Sequence, residues 1–320
     1  MTEIKENNIS LKKFRYSEIF GNTFQGEGKY TGVPTVWFRS WGCNFNCSGF
    51  GQDNPEDKSS WILDYEKIDV EKYKKLEDLP VFKRGCDSSY SWSKKFEKLS
   101  RKGTPEEIVN EIESFLKNEF NPEGKFFNPY SKQWTHMAFT GGEPMLAQTA
   151  IVEILNVFKN KNNMPKFITV ETNGTQKIRQ KLGNEITEFY KYDFSLISPF
   201  EIGPKKQEWF WSVSPKLYLS GENWNDAIKP EIVKEYYYYS KYGQLKYVVN
   251  NTERSWYEVE KATEMYRKEG IDWEVWIMPV GSEKEDQQKI QAKIAEECVK
   301  RGYNFSARLH CLVFDNIIGK

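Results

Sequence analysis

Apolar residues fall along this chain in two alternating rhythms. Short runs rich in β-branched and aromatic residues read as strands: Thr35 to Trp41, Met137 to Thr140, Phe167 to Glu171, Phe210 to Ser214, Leu245 to Val249, Trp273 to Met278 and Ala307 to Phe314. Between them, apolar positions recur at three and four residues, the spacing of one helix face. Thr104-Pro105-Glu106-Glu107 predicts a helix start. Thr104 can cap, Pro105 suits the first helical position and Glu107 completes a capping box. Ile108, Ile112, Phe115 and Leu116 then share a face. Leu146, Ile151, Ile154, Leu155 and Phe158 predict a second helix, and further helices are expected near 252–268 and 283–299. This alternation favours an α/β fold with a largely parallel sheet.

Three stretches break the rhythm. Residues 48–85 mix polar, charged and aromatic positions without a sheet pattern; residues 120–134 and 198–207 read as irregular loops. None has its own strong apolar periodicity, so they are expected to be insertions on one domain spanning 1–320. Lys plus Arg and Asp plus Glu both total 46, so the formal net charge is zero. That balance gives no sign of a basic nucleic-acid surface. Residues 1–12 are polar and lack the apolar core of a signal peptide, and no run reaches membrane-span length. A soluble, cytoplasmic protein is expected, with no membrane or nucleic-acid partner.

The candidate chemistry lies in the cysteines. There are five, an odd and sparse number that argues against a disulfide framework. Cys298 and Cys311 fall on apolar faces and read as inert core thiols, Cys298 sharing its face with Ile290 and Ile294. Gly42-Cys43-Asn44-Phe45-Asn46-Cys47 opens an iron–sulfur motif, but Phe50 stands where a nearby third ligand belongs. Cys86-Asp87-Ser88 supplies a displaced third cysteine. Three thiolates on a [4Fe–4S] cubane leave one iron open to a substrate or cofactor. On spacing alone two alternatives stand beside this. The same cysteines could hold zinc with His136 or His310, or two of them could be unused.

Further motifs follow in a fixed order: Ile19-Phe20-Gly21, Gln25-Gly26-Glu27-Gly28, Arg39 ahead of Cys43, Cys86-Asp87-Ser88, Gly141-Gly142-Glu143-Pro144, Glu171-Thr172-Asn173-Gly174-Thr175, Ser214-Pro215-Lys216 and Arg308-Leu309-His310. Together they resemble the 7-carboxy-7-deazaguanine synthase (QueE) family of radical S-adenosylmethionine (SAM) enzymes, over most of the chain outside the insertions. The resemblance implies an incomplete (β/α) barrel of the radical SAM type with parallel strands and loop insertions. It implies that Cys43, Cys47 and Cys86 hold the cluster, with 48–85 as an insertion within the cluster-binding loop. SAM would chelate the fourth iron and yield a 5′-deoxyadenosyl radical on reduction.

Residue by residue, the resemblance assigns Gly141, Gly142, Glu143, Glu171, Asn173, Ser214 and Lys216 to SAM. It assigns Gln25, Glu27 and Arg39 to 6-carboxy-5,6,7,8-tetrahydropterin, and allows His310 to line the pocket. Ser88 would meet a Mg²⁺ ion that also binds the substrate carboxylate. A guanidinium fork such as Arg39 suits a carboxylate, and Glu27 suits the N–H edge of a pterin. Each assignment has a plainer reading: a glycine turn, an Asn-Gly turn, a surface Ser-Pro-Lys turn, a solvated Glu27, a surface Arg39 ion pair, a capping Ser88 or a structural His310. No catalytic side chain is assigned beyond the cluster ligands. The implied reaction is ring contraction to 7-carboxy-7-deazaguanine with loss of ammonia, as in queuosine precursor biosynthesis, driven by a flavodoxin- or ferredoxin-type reductant. The insertion could cap the pocket, meet that reductant or support a homodimer. Two other functions remain open: a radical SAM activase that makes a glycyl radical on a partner, and a non-catalytic, metal-stabilised binding protein of the same fold.

Overall fold

The computed structural model describes residues 12–195, 197, 198, 200–315 and 317–319. The polar segment before Lys12 lies outside the described residues, as do Leu196 and Pro199 beside or within the expected 198–207 loop. The strands are β1 (Phe14–Phe24), β2 (Pro34–Ser40), β3 (Arg101–Gly103), β4 (His136–Gly141), β5 (Phe167–Thr172), β6 (Glu208–Val213), β7 (Gly243–Val249), β8 (Glu274–Pro279) and β9 (Asn304–Phe305). The helices are α1 (Pro105–Leu116), α2 (Gln148–Asn160), α3 (Gln180–Lys191), α4 (Trp224–Ala227), α5 (Pro230–Tyr239), α6 (Glu253–Lys268), α7 (Lys284–Arg301) and α8 (Leu309–Phe314).

All nine strands form one sheet in the order β3-β1-β2-β4-β5-β6-β7-β8-β9. β2 through β9 run parallel, and β1 pairs antiparallel with both β2 and β3. β3 and β9 remain as edges, so the barrel is incomplete. The α/β architecture expected from the alternation is therefore the one observed.

Strand alternation separates two kinds of surface. Val36, Phe38, Met137, Phe139, Trp209, Trp211, Leu245, Tyr247, Val275 and Ile277 pack outward in the main core with helix residues such as Ile108, Ile112, Ile151, Phe158 and Ile186. The intervening residues face the barrel interior: Trp37 and Ala138 join Phe20 in a small apolar cluster, while Ser212, Gln244 and Lys246 carry polar groups inward. A residue shifted by one position would exchange these faces.

The capping box at α1 is present: Thr104 Oγ1 accepts the Glu107 N–H at 3.2 Å, and Glu107 Oε2 accepts the Thr104 N–H at 2.8 Å. Leu146 departs from the expected pattern. It lies on a short 3-10 turn before α2 and is exposed. β1 was not apparent from alternation. Its register shifts between Tyr16 and Glu18 and again between Phe20 and Thr23, and such bulges break the two-residue period.

The expected strand from Ala307 to Phe314 is corrected. β9 ends at Phe305, and Leu309–Phe314 is helix α8. Leu309, Leu312 and Val313 fit helical spacing as well as a short apolar run fits a strand. The Gly26 carbonyl accepts the Leu309 N–H at 2.8 Å, and Arg308 turns inward to buried carboxylates, which together end the strand direction.

Residues 48–85 contain no strand but four short 3-10 turns. Tyr65, Val70, Leu76, Leu79 and Phe82 from this stretch join Tyr90 and Phe96 in a satellite core, with Trp41 and Trp92 packed against it.

His136, at the start of β4, is buried and stacks on Phe167 with ring centroids 4.8 Å apart, its edge side facing Tyr30. Burial pushes its pKa down from 6.5 to about 4. The unfolded chain then binds a proton that the folded chain refuses. Stability is full above pH 6.5 and falls as pH drops toward 4, by on the order of 3 kcal/mol. His136→Phe should flatten that part of the profile; urea unfolding midpoints measured from pH 7 to 4 in both proteins would show it.

Candidate active site

A cavity of about 310 Å³ opens at the C-terminal ends of the parallel strands, the end at which barrel and doubly wound folds bind ligands. Gln25, Glu27, Arg39, Cys43, Cys47, Cys86, Ser88, Gly141, Gly142, Glu171, Asn173, Ser214, Lys216 and His310 all line it. The structure thus brings together every motif residue expected at a site except Glu143.

The cysteine wall is built on the loop after β2. Cys43, Cys86 and Phe50 pack against Phe45, Cys47 and Ala227 in one apolar cluster. Cys86 therefore reaches the other two cysteines despite the long stretch between them. Cys47 has a positive φ of 48°, uncommon for a side-chain-bearing residue. Its N–H and that of Asn46 both donate to Glu222 Oε1, at 2.6 and 2.9 Å, which pins the turn. Burial raises all three thiols, Cys43 to about 12, Cys86 to about 11 and Cys47 well above its ordinary value; Lys216 pulls each of them back. Burial thus disfavours the thiolate form at each, a preference that a bound metal would reverse.

Three thiols on one wall are the donor type an iron–sulfur cubane takes. Among the described residues no group of three His, Cys, Asp or Glu side chains converges on one ion-sized point, whereas a cubane spreads its ligands over separate irons. His136 begins β4 at the opposite end from Gly141 and does not join the cysteines. His310 lies against Gly26, where an added Cβ would stand 2.0 Å from its Nδ1.

The Gly141-Gly142 turn is closely enclosed. A Cβ on Gly142 would meet the Gly42 carbonyl at 2.4 Å and the Cys43 Cβ at 2.8 Å. Only glycine lets this turn lie against the cysteine loop. Ser214 Oγ accepts from Lys216 Nζ at 3.3 Å. Asn173 donates through Nδ2 to Asn44 at 3.0 Å and accepts from the Thr175 N–H at 3.1 Å. It is at once a turn residue and a pocket residue.

Glu143 is turned away from the cavity. Its fully buried carboxylate accepts from the Met145 N–H at 3.0 Å, Thr172 Oγ1 at 2.6 Å and the Asn173 N–H at 2.7 Å. Burial raises its pKa, and these donors pull it back. Its geometry is that of a brace under the Asn173 turn.

The floor of the pocket comes from the β1–β2 loop. The Gly28 N–H donates to Ser306 Oγ and the Lys29 N–H to Gln244 Oε1, so the loop folds into the N-terminal mouth of the barrel. This lifts Glu27 into the interior. Glu27 accepts from Lys246 Nζ at 2.6 Å and from Arg308 Nε at 2.9 Å, with His310 Nε2 at 3.9 Å. Burial alone would raise its pKa; Lys246, Arg308 and His310 outweigh that and hold it well below the carboxylate range. Burial pushes His310 down to about 4, and Arg308 adds to the shift. Gln25 Nε2 donates to Glu171 Oε1 at 2.9 Å. Glu27 is thus no solvated turn charge.

Arg39 is no surface ion pair either. Its Nε donates to the buried Glu18 at 2.7 Å, and its guanidinium lies over Phe20 and Tyr90. Among the described residues Glu18 is its only hydrogen-bond acceptor, which leaves the Nη groups for a ligand. Ser88 Oγ donates to Asp87 Oδ1 at 3.2 Å, and Asp87 Oδ2 accepts from Arg308 Nη2 at 2.8 Å.

Sequence reasoning missed Lys246, Glu18 and Glu222, and gave Asp87 and Arg308 no role. Lys246 had a signal: a lysine at an inward position of the otherwise apolar run from Leu245 to Val249. Glu18 and Glu222 had none, because their partners lie far off in sequence.

Fold and site together define an α/β protein of the incomplete-barrel type. Its ligand cavity joins a three-cysteine wall to a charged floor. No family model matches the chain. Three curated relatives are similar to it, all 7-carboxy-7-deazaguanine synthases. The one from Buchnera aphidicola subsp. Schizaphis graminum is 26% identical over 180 residues, 53% of this chain and 59% of the relative. The Bacillus subtilis protein is 26% identical over 190 residues, 59% of this chain and 50% of the relative. The Bacillus cereus protein is 24% identical over 166 residues, 52% and 47%. The chain spans about half the length of the curated relatives it matches.

Glu143→Ala would strand three buried donors and should destabilise the fold by about 3–5 kcal/mol, with Glu143→Gln milder. Urea unfolding measures this. Were Glu143 only a cofactor contact, the midpoint would stay put.

Proposed function

We infer that this chain is a radical SAM enzyme that contracts the ring of 6-carboxy-5,6,7,8-tetrahydropterin to 7-carboxy-7-deazaguanine, releasing ammonia. The observation that carries this reading is the gathering of Cys43, Cys47 and Cys86 in one cluster, with Cys43 against the Gly142 turn. In this reading the three thiolates hold a [4Fe–4S] cluster, and Gly141, Gly142, Asn173, Ser214 and Lys216 cradle SAM beside it. Bound together, cluster and SAM supply a 5′-deoxyadenosyl radical when a flavodoxin- or ferredoxin-type protein delivers an electron.

The rest falls to side chains of the pocket. Glu27 accepts from the amino and ring N–H edge of the pterin, together with Glu171, which the resemblance gave to SAM but which Gln25 and Lys246 tie to the floor beside Glu27. Arg39, anchored through Nε by Glu18, offers its remaining N–H groups to the substrate carboxylate. Ser88 and the adjacent Asp87 supply oxygen ligands for Mg²⁺ at that carboxylate. The floor and the carboxylate clamp together fix which substrate carbon faces the cysteine wall, and such orientation supplies much of the rate. Val81, Phe82 and Lys83 of the 48–85 segment line one side of the cavity, and Lys83 Nζ pairs with Glu283 at 2.6 Å. The 48–85 segment is read as an insertion of the cluster loop that walls this side of the cavity.

Anaerobic protein given SAM, reductant, Mg²⁺ and the tetrahydropterin should form the deazaguanine, seen by mass. A protein that instead installs a glycyl radical on a partner, with no pterin turnover, would refute this reading. Cys86→Ala should lose most of its cubane iron on anaerobic reconstitution. Full, unchanged cubane content in that variant would show that Cys86 is not a ligand.

A further inference from the structure

Lys246 belongs to none of the motifs, yet it is the cation that joins two arms of the pocket floor. It sits midway along β7 with its side chain 6% exposed. Its Nζ donates to Glu27 Oε2 at 2.6 Å and to Glu171 Oε2 at 3.0 Å. Glu27 arrives on the β1–β2 loop and Glu171 on β5. Two carboxylates held on one ammonium in a desolvated site repel each other, and the shared cation offsets that repulsion. A carboxylate only accepts, so the pair held by Lys246 presents acceptors to a ligand.

Each carboxylate keeps acceptor capacity after its protein partners are counted. Glu27 accepts from Lys246 and Arg308, and Glu171 from Gln25 and Lys246. A carboxylate has about four lone-pair sites, so both retain room for ligand donors. A triad of this kind is a poor way to stabilise a core. Apolar residues of similar volume often do as well or better where a buried ion pair stands. Burial disfavours the charged lysine, and Glu171 and Glu27 more than reverse that, so it stays charged.

We propose that Lys246 is a positioning residue that sets substrate specificity. By holding Glu27 and Glu171 as paired acceptors, it makes the floor select a heterocycle edge with adjacent amino and ring N–H donors and reject one that presents a carbonyl there. This rests on the pterin reading of the same pocket.

The test is a binding ratio. Anaerobic, cluster-loaded protein with SAM and no reductant is titrated calorimetrically. The two ligands are 6-carboxytetrahydropterin and its 2-oxo analogue, in which a carbonyl replaces the amino group. The native protein should prefer the pterin by at least about 100-fold, as sites with buried acceptors reject mismatched partners. Lys246→Met and Lys246→Gln should cut that preference to below about tenfold while changing the SAM Kd by less than about threefold; Lys246→Arg should restore it. Lys246→Gln keeps a buried donor, so the question survives if Lys246→Met fails to fold. Native-like preference in Lys246→Gln overturns the role of Lys246 while leaving the pterin reading intact. A native protein that binds neither ligand overturns the pterin reading itself, and this proposal with it.

Discussion

A carboxylate in the middle of a barrel has to be neutralised from more than one side, and the position of Glu27 organises much of the interior. Its partners come from β7 through Lys246 and from the segment before α8 through Arg308. Arg308 continues to Asp87, next to Cys86, and to the Gly281 carbonyl after β8. One ionic network thus links the barrel mouth loop, the central strands, the last helix and the third cysteine. Breaking one member leaves a buried charge unpaired, which typically costs about 3–5 kcal/mol. The network ties the floor of the cavity to Asp87, the neighbour of Cys86.

That network is possible because strand alternation keeps the two faces of the sheet chemically distinct. Outward positions such as Trp211, Leu245 and Tyr247 give the helices an apolar surface. Inward positions are free to carry Ser212, Gln244, Lys246 and Glu171. Gln244 shows how economical this is: its side chain accepts the Lys29 N–H at 2.9 Å and donates to Ser212 at 2.8 Å. One inward residue fixes both the loop that carries Glu27 and the neighbouring strand.

The central strands were legible because β-branched and aromatic runs bounded by turns leave few other options. α1 was legible from its capping box. Most residues that line the cavity were picked out through glycine and cysteine motifs. What stayed hidden depends on distant pairing. Glu18 matters because Arg39 and Tyr90 meet it, and neither is its neighbour in sequence. The bulges of β1 erased its alternation. At the other end, Arg308-Leu309-His310 looked like strand because a short apolar run has no decisive period; a pull on Arg308 by Glu27 and Asp87 settles its path, and that pull exists only in the folded chain. Glu143 lies in a motif but faces the wrong way, since Thr172 and Asn173 take both its oxygens.

The distance between Cys47 and Cys86 raises a physical question of its own. Lengthening a loop more than tenfold adds only roughly 2 kcal/mol of closure entropy. The larger cost is ordering the added residues, about 1–2 kcal/mol for each backbone unit. A long polar excursion would leave that cost unanswered and let Cys86 wander. This segment instead supplies most of an apolar centre, with Phe82 almost fully buried and Leu76 and Tyr65 packed beside it, completed by Tyr90 and Phe96 beyond Cys86. The anchors sit at both ends. Gly49 presses against the backbone of Leu219 to Gly221, where an added Cβ would meet atoms within 2.8 Å. The Gly85 N–H donates to the Phe50 carbonyl at 2.8 Å, which closes the excursion directly ahead of Cys86. Phe50, in the place of a nearby third cysteine, therefore marks where the chain leaves the cysteine wall and where it returns.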